Sequence, residues 1–202
     1  MNFLAHCLLP DRAVLNTHPD LIAGGFIGDF IKGPVPDSLP AVLADGVRLH
    51  RRIDAYSNLH PGIRRSCERF SAELRRFAPI FVDVVADHLL ARHWLRFHPL
   101  ALETFTAGTY AAIRPHVDHL PADGQRFFDY MSEHDLLAGY RRPEAMERAL
   151  CSITRRLSRP VSDARMLADV QAHLPELEAD FLEYFPDLIS HAAAWLELNA
   201  GR

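Results

Sequence analysis

The amino-acid sequence predicts an all-α fold in one domain, and three features predict it. Gly and Pro residues divide the chain into segments of roughly 10–20 residues, the usual length of globular helices. Few stretches alternate apolar and polar residues with the period of two that marks a half-buried strand. Apolar residues recur instead at helical spacing. The chain has 202 residues and is 49% hydrophobic, enough for one sizeable core. It contains no tandem repeat, low-complexity stretch or long internal linker, so residues 1–202 read as one helical bundle.

Helices are expected near residues 2–9, 19–31, 63–77, 101–113, 123–138, 144–157, 162–184 and 186–198. Two more are set by their patterning. Leu43, Val47, His50 and Asp54 form one stripe of a helix. Over residues 79–97, Phe81, Val84, Val85 and His88 share one face, while Asp83, Asp87, Leu90 and Trp94 share another. A helix with two largely apolar faces belongs in the centre of a bundle. Pro10 and Pro186 are expected to mark helix boundaries or kinks.

A formal net charge of -4 implies no strong global attraction to nucleic acid or an anionic membrane, and neither is expected as a partner. The longest apolar runs fall far short of the roughly 20 residues of a membrane span. The first ten residues lack the basic start of a signal peptide. Cys7, Cys67 and Cys151 are odd in number and scattered, which reads as reduced thiols and a cytoplasmic location.

Four constellations carry chemistry. On a helix His50 and Asp54 stand one turn apart, on a stripe shared with Leu43 and Val47, so the pair points inward. Arg51 and Arg52 lie on other faces, where guanidinium groups grip phosphate well. A buried His–Asp hydrogen bond with two solvated arginines accounts for this segment equally. Asp83 and Asp87 repel one another if both are charged and dry, which a cation or a shared proton relieves. His88 sits about 100° around the same helix. The alternative is an ion-pair network with Arg51, Arg75 or Arg76. In the segment Gly24–Gly33, Asp29 and Lys32 stand among glycines that permit close backbone approach, with a capped helix end as the plainer reading. Asn2 and His6 are again one turn apart, where a satisfied core histidine is the plainer reading. His93 and His98 fall on the polar side of the central helix. His116, His119, His173 and His191 read as solvated, and His134 as a weak candidate. No G-x-S-x-G occurs, so serine catalysis has no support. Taken together, inward aspartates and histidines on several helices favour a divalent metal, Mn²⁺, Mg²⁺ or Fe²⁺.

The motifs Met1-Asn2-Phe3-Leu4-Ala5-His6, Gly28-Asp29-Phe30-Ile31-Lys32-Gly33, His50-Arg51-Arg52-Ile53-Asp54, Arg75-Arg76 and Asp83 to Ala91 with Trp94 resemble, in order and spacing, the acyl carrier protein phosphodiesterases. The resemblance runs to about residue 157 and more loosely to Pro186. It implies removal of the 4′-phosphopantetheine arm from holo acyl carrier protein, an HD-domain-like fold and a divalent ion, commonly Mn²⁺. The His-Asp dipeptide of that wider group is replaced by Asp87-His88, in reverse order. Asn58 stands where the resemblance implies an aspartate, and it is left out of the expected site.

The resulting expectation is a metal site centred on Asp29, His50, Asp87 and His88. His6, Asp54 and Asp83 are further ligands or partners that orient them. Lys32, Arg51 and Arg52 contact phosphate. The Arg64-Arg65 and Arg75-Arg76 pairs are expected to dock an acidic carrier protein. An HD-type phosphohydrolase of nucleotides or small phosphoesters, and a non-catalytic module that binds the carrier protein, are the competing readings.

Overall fold

A computed structural model of the chain describes residues 2–13, 17–157 and 159–199. Met1, the first residue of the N-terminal motif, lies outside them. The described residues contain helices and turns and no strand.

The helices are α1 (Phe3–Ala13), α2 (Pro19–Ile27), α3 (Ala41–Ser57), α4 (Pro61–Glu68), α5 (Ala78–Arg92), α6 (Trp94–Phe97), α7 (Leu102–Ile113), α8 (Ala122–Glu133), α9 (Leu136–Gly139), α10 (Pro143–Thr154) and α11 (Asp163–Asn199). Short 3₁₀ turns cover Arg75–Phe77 and Arg114–His119. The segment with two apolar faces becomes α5, which is buried at Phe81, Val82 and every residue from Val84 to Ala91. α1 is also interior, with no exposure at Leu4, Ala5, His6, Cys7, Leu8 or Leu9. It packs on α2, α3, α5 and α11.

α2 and α3 meet where neither has a side chain. A Cβ on Gly24 would lie 2.4 Å from the Leu43 carbonyl oxygen, and one on Gly46 would lie 2.5 Å from that of Leu21. Both separations are far inside van der Waals contact, so only glycine lets these backbones cross so closely. This crossing brings the end of α2 onto the inward stripe of α3.

Several boundaries differ from expectation. Pro10 lies inside α1 and Pro186 inside α11, so neither ends a helix. The two helices expected over 162–184 and 186–198 are one helix of 37 residues, roughly 55 Å long. Its buried residues Met166, Val170, Leu177, Phe181, Phe185, Leu188 and Ala192 recur at helical spacing on both sides of Pro186. That continuous apolar stripe holds the helix against α1, α3, α4, α5 and α10, offsetting the lost backbone donor. Residues 63–77 divide into α4 and a 3₁₀ turn. Residues 123–138 break at Asp135, whose φ of 43° is left-handed and whose carboxylate caps α9 by accepting from the Ala138 N–H. α2 stops at Ile27, so Asp29 and Lys32 sit on the turn that follows it.

Histidines also differ from expectation. His18 and His60, each followed by proline, cap α2 and α4 by accepting a backbone N–H on Nδ1. His98 is buried and bonds Asp11 at 2.8 Å rather than facing solvent. His116 bonds Asp20 at 2.8 Å, and His191 stacks on Tyr56 at 4.0 Å between centroids.

Candidate metal centre

The centre forms where α1, α3 and the end of α2 converge. His6 projects from α1. His50 and Asp54 project from successive turns of α3, as their spacing requires. The two imidazole rings stack, with centroids 3.8 Å apart. His6 Nε2 is 3.0 Å from Asp54 Oδ1, and His50 Nε2 is 3.3 Å from Asp54 Oδ2. One ligand atom from each of the three residues can be chosen so that all lie within 4.8 Å of one another. Asp29 stands beside them, its Oδ1 3.8 Å from His50 Nε2.

Glycines make room for this convergence as well. A Cβ on Gly25 would meet the His6 carbonyl oxygen at 2.3 Å, and one on Gly28 would meet His50 Cγ at 2.5 Å. The end of α2 therefore presses directly on both histidines.

The hydrogen bonds fix the tautomers of the site. His50 Nδ1 is 2.8 Å from the Gly25 carbonyl oxygen, which only accepts, so Nδ1 carries the proton. In the neutral ring Nε2 is then a bare lone pair, and it faces two carboxylates that also only accept. Such a set needs a cation or an extra proton between its members. His6 Nδ1 is buried with no hydrogen-bond partner. Burial, reinforced by neighbouring His50, lowers the His6 pKa to about 3, so this ring is a neutral donor. Burial works against the Asp54 charge, but the His50 and His6 rings beside it outweigh burial and hold its carboxyl below the usual range. Burial raises Asp29, and the nearby Asp54 charge adds to that rise. Two imidazoles and one or two carboxylates, converging on a half-buried point, are a donor set that fits a divalent transition ion.

The structure places the other expected residues differently. Asp87 and His88 are not members of the His6–His50–Asp54 group. Asp87 is fully buried and accepts from the N–H groups of Leu4 at 2.8 Å and Ala5 at 3.0 Å. It thus caps the start of α1 from a different helix, serving two of the donors that every helix leaves unpaired. Burial pushes its pKa up to about 7 although these bonds pull the other way. His88 Nδ1 donates to the Tyr140 carbonyl oxygen at 2.7 Å, and its buried Nε2 has no hydrogen-bond partner. Tyr140 in turn accepts from the Asn2 side chain at 3.0 Å. Asp83 is half-buried, with a pKa raised by burial and by Asp54.

Basic groups lie on the two segments that carry Asp29, His50 and Asp54. Lys32 Nζ donates to the Asp29 carbonyl oxygen at 2.8 Å, and Arg51 Nη2 donates to that of Ile31 at 3.0 Å. Arg52 is exposed, and its charge adds to burial in lowering His191. Arg65 is committed elsewhere, to Asp180 and Glu183 at 2.7 and 2.6 Å. Sequence reasoning left out His60, whose buried ring caps α4 and bonds Asp187 at 3.2 Å. The His-Pro pair at a helix start was its one signal.

A family model described as acyl carrier protein phosphodiesterase matches residues 1–188. A Serratia proteamaculans protein named acyl carrier protein phosphodiesterase is 34% identical over 194 residues, covering 95% of this chain and 97% of that protein. One of the same name from Salmonella dublin is 32% identical over 196 residues, covering 96% of this chain and 98% of that protein. No solved structure matches the chain. Among the described residues, no helix is long and apolar enough to cross a membrane. The match spans nearly the whole length on both sides, and the chain belongs to the acyl carrier protein phosphodiesterase family.

Proposed function

We propose that the chain hydrolyses the phosphodiester joining 4′-phosphopantetheine to the serine of holo acyl carrier protein, giving the apo carrier protein. The observation that carries this reading is the convergence of His6, His50 and Asp54 on one point, with Asp29 alongside. Family membership supports the substrate.

His6, His50 and Asp54 would hold a divalent ion, Mn²⁺ before Mg²⁺ or Fe²⁺, which when bound polarises a phosphoryl oxygen and acidifies a water. The chain's own groups do the rest. The Gly25 carbonyl fixes the His50 tautomer so that Nε2 is free to donate. Burial keeps His6 neutral. Asp29, whose pKa burial raises, is placed to accept a proton from an attacking water. The Arg51 guanidinium and the Lys32 ammonium, each holding one backbone carbonyl, have further donors for phosphate oxygens. Asp87 and Asp83 act at a distance: Asp87 by docking the start of α1, and so His6, against α5. The exposed Arg64, Arg75 and Arg76 leave a basic surface for an acidic carrier protein, with Arg65 withdrawn into the Asp180 network.

Mass spectrometry tests the reading. Incubating holo carrier protein with the chain and Mn²⁺ is expected to shift it to the apo mass, and a chelator is expected to prevent the shift. An unchanged holo mass together with hydrolysis of nucleotides would replace the substrate. Binding of carrier protein without metal uptake, and with His50→Ala behaving as wild type, would replace the enzyme with a binding module.

A further inference from the structure

A groove of about 200 Å³ runs between α4 and the start of α5, lined by Asn58, Ile63, Arg64, Cys67, Glu68, Arg75 and Pro79. It begins at Asn58, which caps the helix that carries Asp54. Asn58 follows Asp54 by one helical turn, about 6 Å, and its N–H donates to the Asp54 carbonyl oxygen at 3.0 Å. We propose that this groove is the subsite for the pantetheine arm of the substrate, a clause that rests on the function proposed above.

The lining matches the arm's chemistry. Pantetheine is neutral and flexible, with methylene and gem-dimethyl segments separated by amides. Ile63, Cys67 and Pro79 supply apolar surface for the hydrocarbon. Asn58, Arg64 and Arg75 supply donors for the amide carbonyls, as a few polar groups orient a ligand in an otherwise apolar pocket. Arg75 also holds the Phe70 carbonyl at 3.3 Å, which positions its guanidinium. The groove is too small to seat a helix, which is about 10 Å across, so a docking helix of the carrier protein does not fit within it. A chain one atom wide does. The phosphodiester at the metal centre would place the arm's first segment at Asn58.

The test uses the full chain, with Asn58→Trp and Pro79→Trp blocking the groove from exposed positions on opposite walls, and with Arg64→Glu. Calorimetry with Mn²⁺ measures the Kd of free 4′-phosphopantetheine. Kinetics compare holo carrier protein with bis(4-nitrophenyl) phosphate, a diester that has no arm. Melting curves report folding. Each Trp variant is expected to weaken 4′-phosphopantetheine about tenfold or more and to lower the ratio of carrier-protein to small-diester hydrolysis comparably. Arg64→Glu is expected to weaken free 4′-phosphopantetheine as well as the carrier protein. Wild-type Kd values in folded Trp variants overturn the proposal. So does an Arg64→Glu chain that binds free 4′-phosphopantetheine as wild type and is defective on the carrier protein alone, which would make the groove a protein contact. A wild-type chain that binds 4′-phosphopantetheine in the groove but leaves holo carrier protein intact would remove the proposed function alone.

Discussion

Gly28→Ala should impair the centre through one methyl group. Gly28 has φ -52° and ψ -33°, which any residue adopts, so backbone strain plays no part. In an open position near a helix end such a change stabilises by about 0.4–1 kcal/mol. Here the new Cβ would lie 2.5 Å from His50 Cγ, 2.8 Å from its Cβ and 2.9 Å from Cδ2. Ordinary carbon contacts begin near 3.5 Å, so the ring or the α2 terminus must move by about 1 Å. His50 has little room to retreat, because Nδ1 is held by Gly25 at 2.8 Å and the ring stacks on His6 at 3.8 Å. Overpacking of this kind costs about 1–3 kcal/mol. A ligand displaced by about 1 Å should lower activity on the order of a hundredfold. Manganese titration by calorimetry and turnover of holo carrier protein measure the two effects, with melting curves alongside. A Gly28→Ala chain with wild-type manganese affinity and turnover would refute the idea that this contact places His50. Gly108→Ala is the matched control: nothing lies within 4 Å of the added carbon, in the middle of α7. It should raise stability by about 0.5–1 kcal/mol, and a lower melting temperature would contradict that.

Asp87 predicts a pH dependence. Its folded pKa near 7 lies above the carboxylate value of the unfolded chain, so between about pH 4 and 7 the native state holds a proton that the unfolded chain has released. Stability from this group is therefore lost as pH rises through that window, by on the order of a few kcal/mol. Urea denaturation of wild type and Asp87→Asn at pH 5 and 7.5 isolates it, and a difference that stays constant with pH would exclude it. The variant should also cost about 1–3 kcal/mol by leaving the Leu4 or Ala5 N–H unpaired. Asp180 is buried and accepts from Arg65, Arg69 and Ser66 at 2.6–3.0 Å. Both arginines are partly exposed, so Asp180→Ala should cost about 2–3 kcal/mol, less than a fully buried pair. Manganese affinity should be retained. A melting temperature within about 2 °C of wild type would show that the network contributes little.

What was legible in the sequence is what helical periodicity carries. The burial of α5 followed from its two apolar faces, and the burial of His50 followed from Val47 and Leu43 one and two turns before, while Asp54 on the same stripe stays 40% exposed. The glycines of α2 announced a close approach. Whom they approach was not legible, since Gly24, Gly25 and Gly28 meet α3, α1 and His50 respectively. Asp83 and Asp87 illustrate the limit. Their spacing suits a cation, but Asp87 faces the start of α1, and nothing within α5 indicates which helix end arrives there. The prolines of α1 and α11 misled for a related reason. A local penalty of about 3 kcal/mol competes with a long buried stripe that is visible only once its partners are in place.

The sequence by itself determined the all-helical class, the burial of α5 and the family, because these depend on residues a few positions apart or on motif order along the chain. The tertiary structure decided that His6 joins His50 and Asp54 while Asp87 does not. That choice depends on how α2 packs on α1 and α3, through contacts between residues 19 to 25 positions apart, at separations that only glycine permits.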